Sequence, residues 1–67
     1  MLKDESIMVV LNSILDENFG VARIDTVLAT ISQVFSDLKI TYNDVVSVGD
    51  RCMCLVYDDD IQSIIAV

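Results

Sequence analysis

Three consecutive aspartates, Asp58, Asp59 and Asp60, are the densest cluster of chemically capable side chains in this sequence. Their carboxylate oxygens are the ligands that calcium and magnesium prefer. The run lacks the central glycine and the distal glutamate of a calcium-binding loop, which favours a solvated turn over a metal site. We therefore predict no bound metal at these positions.

Two cysteines, Cys52 and Cys54, are the other reactive side chains. A single residue separates them, whereas redox motifs have two intervening residues and zinc sites need further cysteine or histidine ligands. We predict that both are reduced thiols, buried as small hydrophobic side chains.

The rest of the chain does not indicate catalytic machinery. The sequence contains no histidine, which is the commonest general base and metal ligand. No carboxylate pair lies in an apolar segment that would perturb its pKa, and no glycine-rich loop is suited to hold a phosphate. We predict that the protein is not an enzyme and that it has no catalytic residues and no cofactor.

The chain is strongly acidic, with eleven carboxylates, four cationic side chains and a net charge of −7. Such a chain repels nucleic-acid phosphates and anionic lipids, so we predict no direct contact with nucleic acid or membranes. The expected partner is a protein with a basic surface, because complementary charge accelerates association. The expected partner-binding residues are Asp58, Asp59 and Asp60, followed by Asp16 and Glu17.

The composition indicates a surface that contacts another molecule. The 67 residues suffice for one domain, 1–67, and a chain this small buries only about 60% of its unfolded surface. Its apolar fraction of 54% exceeds the usual share of about 45–50%. The excess predicts a protein-protein or self-association interface. The sequence has neither a signal-peptide pattern nor the roughly 20 apolar residues of a membrane span, so we predict a cytoplasmic protein.

The first half of the chain has the apolar spacing of two amphipathic helices. The first is predicted over Asp4–Asn18, with one apolar face and with Val9 outside it. That face comprises Ile7, Met8, Val10, Leu11, Ile14 and Leu15. The second is predicted over Arg23–Lys39, with a stripe formed by Ile24, Val27, Leu28, Ile31, Val34, Phe35 and Leu38. The short link at Phe19 and Gly20 predicts a helical hairpin.

The last third of the chain predicts a small antiparallel sheet. Two apolar runs, Val45–Val48 and Arg51–Tyr57, flank Gly49 and Asp50, which is typical of a two-residue hairpin. A third strand is predicted over 61–67, after the aspartate turn. The expected fold is α+β, an N-terminal helical hairpin followed by a sheet of two or three strands (ααβββ).

One segment also fits a different structure. Thr41 and Asp44 have the spacing of a helix capping box, with aspartate in place of the usual glutamate. Under this alternative a short third helix begins after Thr41 and ends at Gly49.

A strand over Arg51–Tyr57 would have apolar side chains on both faces. One face would carry Cys52, Cys54 and Val56, and the other Met53, Leu55 and Tyr57. A helical hairpin can cover only one face, so the second predicts a contact with another copy or another protein, unless the helices straddle the sheet. We assign Met53, Leu55 and Tyr57 to self-association.

The sequence therefore favours a small acidic protein-binding module, an adaptor or an inhibitor, that also forms a homo-oligomer. Two alternatives remain open. The first is an acidic mimic of nucleic acid that blocks a DNA- or RNA-binding protein, and it needs carboxylates arrayed over one face. The second is a structural subunit of an assembly.

Overall fold

The computed structural model describes residues 3–66 and shows an α+β fold of three helices and a three-stranded antiparallel sheet. The elements in chain order are α1 (Lys3–Glu17), β1 (Val21–Arg23), α2 (Ile24–Val34), α3 (Tyr42–Met53), β2 (Val56–Asp58) and β3 (Ser63–Ile65). The fold class was predicted correctly. The order of elements was not, because helices and strands are interleaved (αβααββ) and the sheet does not simply follow a helical hairpin.

The sheet has the order β1–β3–β2, so the last strand lies at its centre. Its register places Ala22, Ile64 and Tyr57 side by side in one row. Ala22 and Ile64 are fully buried against the helices. The neighbouring row faces the opposite way and consists of Val21, Ile65 and Val56. Val21 and Val56 are exposed, so this outer face of the sheet has apolar side chains that the fold leaves in solvent.

The prediction for the first helix is confirmed. Helix α1 buries the predicted face, with Met8 partly covered, and leaves Val9 exposed. Helix α2 is shorter than predicted, because Phe35 leaves helical backbone geometry (φ −125°, ψ 66°) and the helix ends at Val34. The predicted stripe accordingly fails at its end, where Val34 is 61% exposed.

The strand β1 interrupts the predicted helical hairpin. Three residues carry too short a pattern for a strand to be recognised in sequence. Their extended geometry is stabilised by pairing with β3, which lies more than forty positions later in the chain, as in the pair Ala22 with Ile64. Such long-range pairing is not encoded in the segment itself.

The strand predicted over Val45–Val48, and the hairpin at Gly49 and Asp50, are wrong. The capping-box alternative is the observed one. The Thr41 amide donates to the Asp44 carboxylate at 2.9 Å, and the Asp44 amide donates to the Thr41 hydroxyl at 3.2 Å. These bonds satisfy donors that a helix N-terminus otherwise leaves free. The helix does not end at Gly49, however, and continues to Met53.

Gly49 permits close packing of α3 on the sheet. A Cβ atom at this position would lie 3.1 Å from the terminal methyl of Ile64 and 3.8 Å from a Leu11 methyl. The glycine therefore marks a close contact between a helix and a strand, which explains why it occurs inside a helix despite its low helix propensity.

The other two predicted strands are partly correct. Of Arg51–Tyr57, only Val56 and Tyr57 lie in a strand, since α3 extends to Met53 and Cys54 follows in left-handed conformation (φ 52°). Of 61–67, the strand comprises Ser63–Ile65, and Val67 lies outside the described residues. Within the described part of the chain, no helix is long and apolar enough to cross a membrane.

Candidate protein-binding surfaces

The predicted partner-binding aspartates follow β2 directly. Asp58 ends the strand, and its carboxylate accepts the amide of Asp60 at 2.9 Å. The Tyr57 hydroxyl donates to the Asp59 carboxylate at 3.2 Å. Asp59 and Asp60 are exposed, whereas Asp58 is half-buried. The turn is thus held by its own hydrogen bonds and presents its charges to solvent.

The other predicted pair, Asp16 and Glu17, lies elsewhere. Both end α1, which leads through a three-residue turn to the Val21 end of β1. The Arg23 end of β1 is the one that lies beside Ser63 and Asp58. The structure therefore places the two acidic clusters towards opposite ends of the sheet and does not combine them.

Three of the four cationic side chains form ion pairs with carboxylates of the same chain. Lys3 pairs with Asp44 at 2.8 Å, and the other pairs are Arg23 with Asp25 and Arg51 with Asp4. Within residues 3–66 neither predicted acidic cluster has an ion pair. No cation of the described chain therefore compensates either cluster.

Phe19 is a surface residue that the sequence interpretation missed as a binding residue. It lies in the turn after α1 and its side chain is fully exposed. Its backbone has φ 57°, the left-handed region that a bulky residue rarely adopts. The turn imposes this geometry, because the Gly20 amide donates a hydrogen bond to the Leu15 carbonyl at 2.8 Å. The turn therefore explains the left-handed backbone, but the fully exposed Phe19 ring adds no packing to the described fold.

Two tyrosines form a polar cluster near the aspartate turn. The rings of Tyr42 and Tyr57 meet edge to face with centroids 5.9 Å apart, and their hydroxyls are hydrogen-bonded. Partial burial and the negative charges of Asp59 and Asp25 raise the pKa of Tyr42. Tyr42 therefore stays protonated, and its hydroxyl serves as a hydrogen-bonding group and not as a base.

A groove of about 490 Å³ lies between α3 and the free side of β2. Val46, Leu55 and Val56 give it an apolar part, while Ser47 and Asp50 give it a polar rim. Beside it, the Asp58–Asp60 turn continues β2, so these three aspartates lie close along the chain to Leu55 and Tyr57, two of the predicted self-association residues.

The predicted self-association residues are not one face of a strand. Met53 ends α3, Leu55 lies in the link, and Tyr57 is in β2. All three are half-buried and pack against the core. The two-sided strand that motivated their assignment is absent from the described chain, and their role in self-association stays a prediction.

The two cysteines are exposed, so the prediction of buried thiols is wrong. Cys52 lies on a solvent-facing side of α3, and Cys54 is the left-handed residue that caps this helix. Alternation along a strand suggested burial, and the helix removes that reason. Both thiols are free.

Residues 3–66 contain no group of three or more cysteine, aspartate or glutamate side chains placed to hold a metal ion. No protein-family model, curated protein or solved structure matches the chain. The functional argument therefore rests on the surfaces described above.

Proposed function

We propose that the protein is a small acidic protein-binding module that acts by docking on a partner with a basic surface. The observation that carries this proposal is Phe19, a fully exposed aromatic on a left-handed backbone. Leaving a phenylalanine side chain in water forgoes about 1.5–3 kcal/mol relative to burial, and the left-handed backbone costs about 1–2 kcal/mol more. Hydrogen bonds of the turn hold the backbone in this geometry, but the fully exposed ring makes no packing contact that would offset its hydration.

An interface supplies the missing compensation. Aromatic side chains are enriched in the desolvated centre of protein-protein interfaces, where a few residues dominate the binding energy. Asp16 and Glu17 precede Phe19 by three and two residues, and both are exposed and without an ion pair in the described chain. This arrangement fits an apolar pocket ringed by lysine or arginine. The Asp58–Asp60 turn contributes to long-range attraction, which raises association rates more than affinity.

The distribution of charge favours a protein docking site over nucleic-acid mimicry. A mimic requires carboxylates spread over one continuous face, whereas the two densest clusters here lie towards opposite ends of the sheet. We further propose binding without turnover. A cytoplasmic location belongs to the same proposal, because its reducing conditions would keep two exposed thiols free.

Capture of partners by the immobilised protein tests the proposal. Source-cell extract is passed over it at low ionic strength, with and without an excess of DNA and RNA, and bound proteins are identified by mass spectrometry. We expect a protein partner that nucleic acid does not displace. Displacement by nucleic acid would support mimicry instead, and an empty matrix at low salt would contradict protein binding.

Self-association is a separate part of the proposal. The outer row of the sheet, Val21, Ile65 and Val56, leaves apolar side chains for a second copy to cover. Sedimentation should give a mass above the 7.4 kDa of one chain. Val56→Thr should weaken the oligomer, while Val34→Thr, an equally exposed change on α2, should not. A mass of one chain at micromolar concentration would end this idea.

A further inference from the structure

The strand β2 has an open edge that faces the groove beside α3. Ala66 donates its amide to the Gly20 carbonyl at 2.8 Å, and Ile24 donates its amide to the Gln62 carbonyl at 3.0 Å. In an antiparallel pair hydrogen-bonded residues alternate, so Ile64, midway between these bonds, also directs its backbone groups towards β1.

The same alternation fixes the backbone of β2. Ser63 and Ile65 direct their N–H and C=O groups towards β2, where they face Asp58 and Val56. Tyr57, opposite Ile64, therefore has its amide and carbonyl on the outer side of the sheet. An edge with free donors and acceptors is a template for another extended chain.

We propose that this edge binds an extended basic peptide from a partner protein by strand addition. Strand addition takes affinity from backbone hydrogen bonds and specificity from alternate side chains. The added strand would exchange backbone hydrogen bonds with Tyr57 while one of its side chains enters the groove lined by Val46, Ser47 and Asp50.

The residues of β2 and of the groove predict which side chains the bound peptide should carry. Next to Val56, an apolar residue extends the outer row of the sheet. Two positions away, next to Asp58, a lysine or arginine forms a cross-strand charge pair. The residue between them faces the groove and Asp50. The expected ligand therefore has a basic residue two positions from a β-branched or other apolar residue.

Charge favours a basic peptide over a second copy of this chain as the occupant of the edge. Each chain has a net charge of −7, and residues 52–67 include no lysine or arginine that a second copy could place opposite Asp58. A basic peptide supplies that cation. The site is separate from Phe19, so its test does not depend on the function proposed above.

The probe is a display library of random peptides, selected on the wild-type protein. We expect enrichment of the basic–x–apolar pattern in either chain direction. Asp58→Asn and Asp50→Asn should each weaken a selected peptide by up to about fivefold, since an exposed ion pair is worth up to about 1 kcal/mol. Asp37→Asn makes the same charge change outside the groove and should leave affinity unchanged. Selected peptides without this pattern would overturn the proposal.

Backbone pairing is tested on the selected peptide. The Tyr57 amide should become protected from hydrogen exchange when the peptide binds. Tyr57→Pro removes this outward N–H from the backbone and should abolish binding. In case the proline variant unfolds, a peptide N-methylated opposite Tyr57 makes the same test on the wild-type protein. Unchanged affinity of that peptide, or no enrichment at all, would overturn strand addition. Phe19→Ala should bind the peptide normally, which separates this site from the first.

Discussion

At the scale of single residues, the left-handed positions are where the chain departs from its local preferences. Three non-glycine residues in the described chain have positive φ, namely Phe19, Cys54 and Gln62. Cys54 closes α3, and Leu55 donates its amide back to the Gly49 carbonyl at 2.9 Å, a typical helix C-terminal bond. Of the three, only Phe19 combines this geometry with a large apolar side chain in solvent.

The backbone strain at Phe19 is measurable. Phe19→Gly should raise the free energy of unfolding by about 1 kcal/mol, because glycine adopts the left-handed region without the clash of Cβ. For a domain of this size that corresponds to a rise of about 4–8 °C in melting temperature. Phe19→Ala is the matched control, since it removes the ring but keeps the strain, and its melting temperature should stay near that of the wild type. A lower melting temperature for the glycine variant would show that the turn tolerates phenylalanine without strain.

At the scale of elements, α3 explains most of the difference between expectation and structure. Its valines, Val45, Val46 and Val48, have high strand propensity and led to a strand prediction. Burial of Val45 and Val48 on one helix face, together with the capping box, outweighs that propensity. The information was present at Thr41 and Asp44, whereas the pairing of β1 with β3 could not be read from any local pattern.

The candidate sites were also predictable only in part from the sequence. Charge clusters are visible in a sequence, so Asp58–Asp60 and the pair Asp16 and Glu17 could be identified as acidic surfaces. Their separation towards opposite ends of the sheet depends on β1, which no local pattern indicates. The open edge of β2 likewise depends on strand order, and the exposure of Phe19 depends on the turn geometry.

The N-terminus of α3 also gives a pH prediction. Hydrogen bonds from Lys3 and from the Thr41 amide lower the pKa of Asp44 to about 2 from its ordinary 3.8. A lowered folded-state pKa means that ionised Asp44 stabilises the fold fully above pH 3.8, and that this contribution is lost as the pH falls through about 2.

Denaturant unfolding of the wild type and of Asp44→Asn checks this sign. Asparagine keeps an oxygen for the Thr41 amide but loses the charge that pairs with Lys3. The variant should be less stable at neutral pH, and the difference should shrink as the pH falls below 3.8 and disappear only below about pH 2. A difference that is constant over this range would mean that the Asp44 charge contributes nothing to stability.

At the scale of the whole molecule, the fold combines internal charge pairing with unpaired acidic ends. Three ion pairs engage Lys3, Arg23 and Arg51, so the acidic clusters where α1 ends and where β2 turns into β3 have no paired cation in the described chain. A fully exposed aromatic adjoins the first end, and an open strand edge adjoins the second. Each end of the sheet therefore has an acidic cluster and a feature that could contact a partner, which fits the proposed docking on basic proteins.

Partner capture by variants at Phe19 tests the central claim most directly. Wild type, Phe19→Ala and Phe19→Gly are compared for affinity towards the captured partner, with circular dichroism confirming that each is folded. An interface hot spot contributes about 2 kcal/mol or more, so both variants should bind at least about 30-fold more weakly. The glycine variant should do so while being more stable than the wild type. If both folded variants bind the partner with wild-type affinity, Phe19 is not an anchor and the proposed docking surface is contradicted.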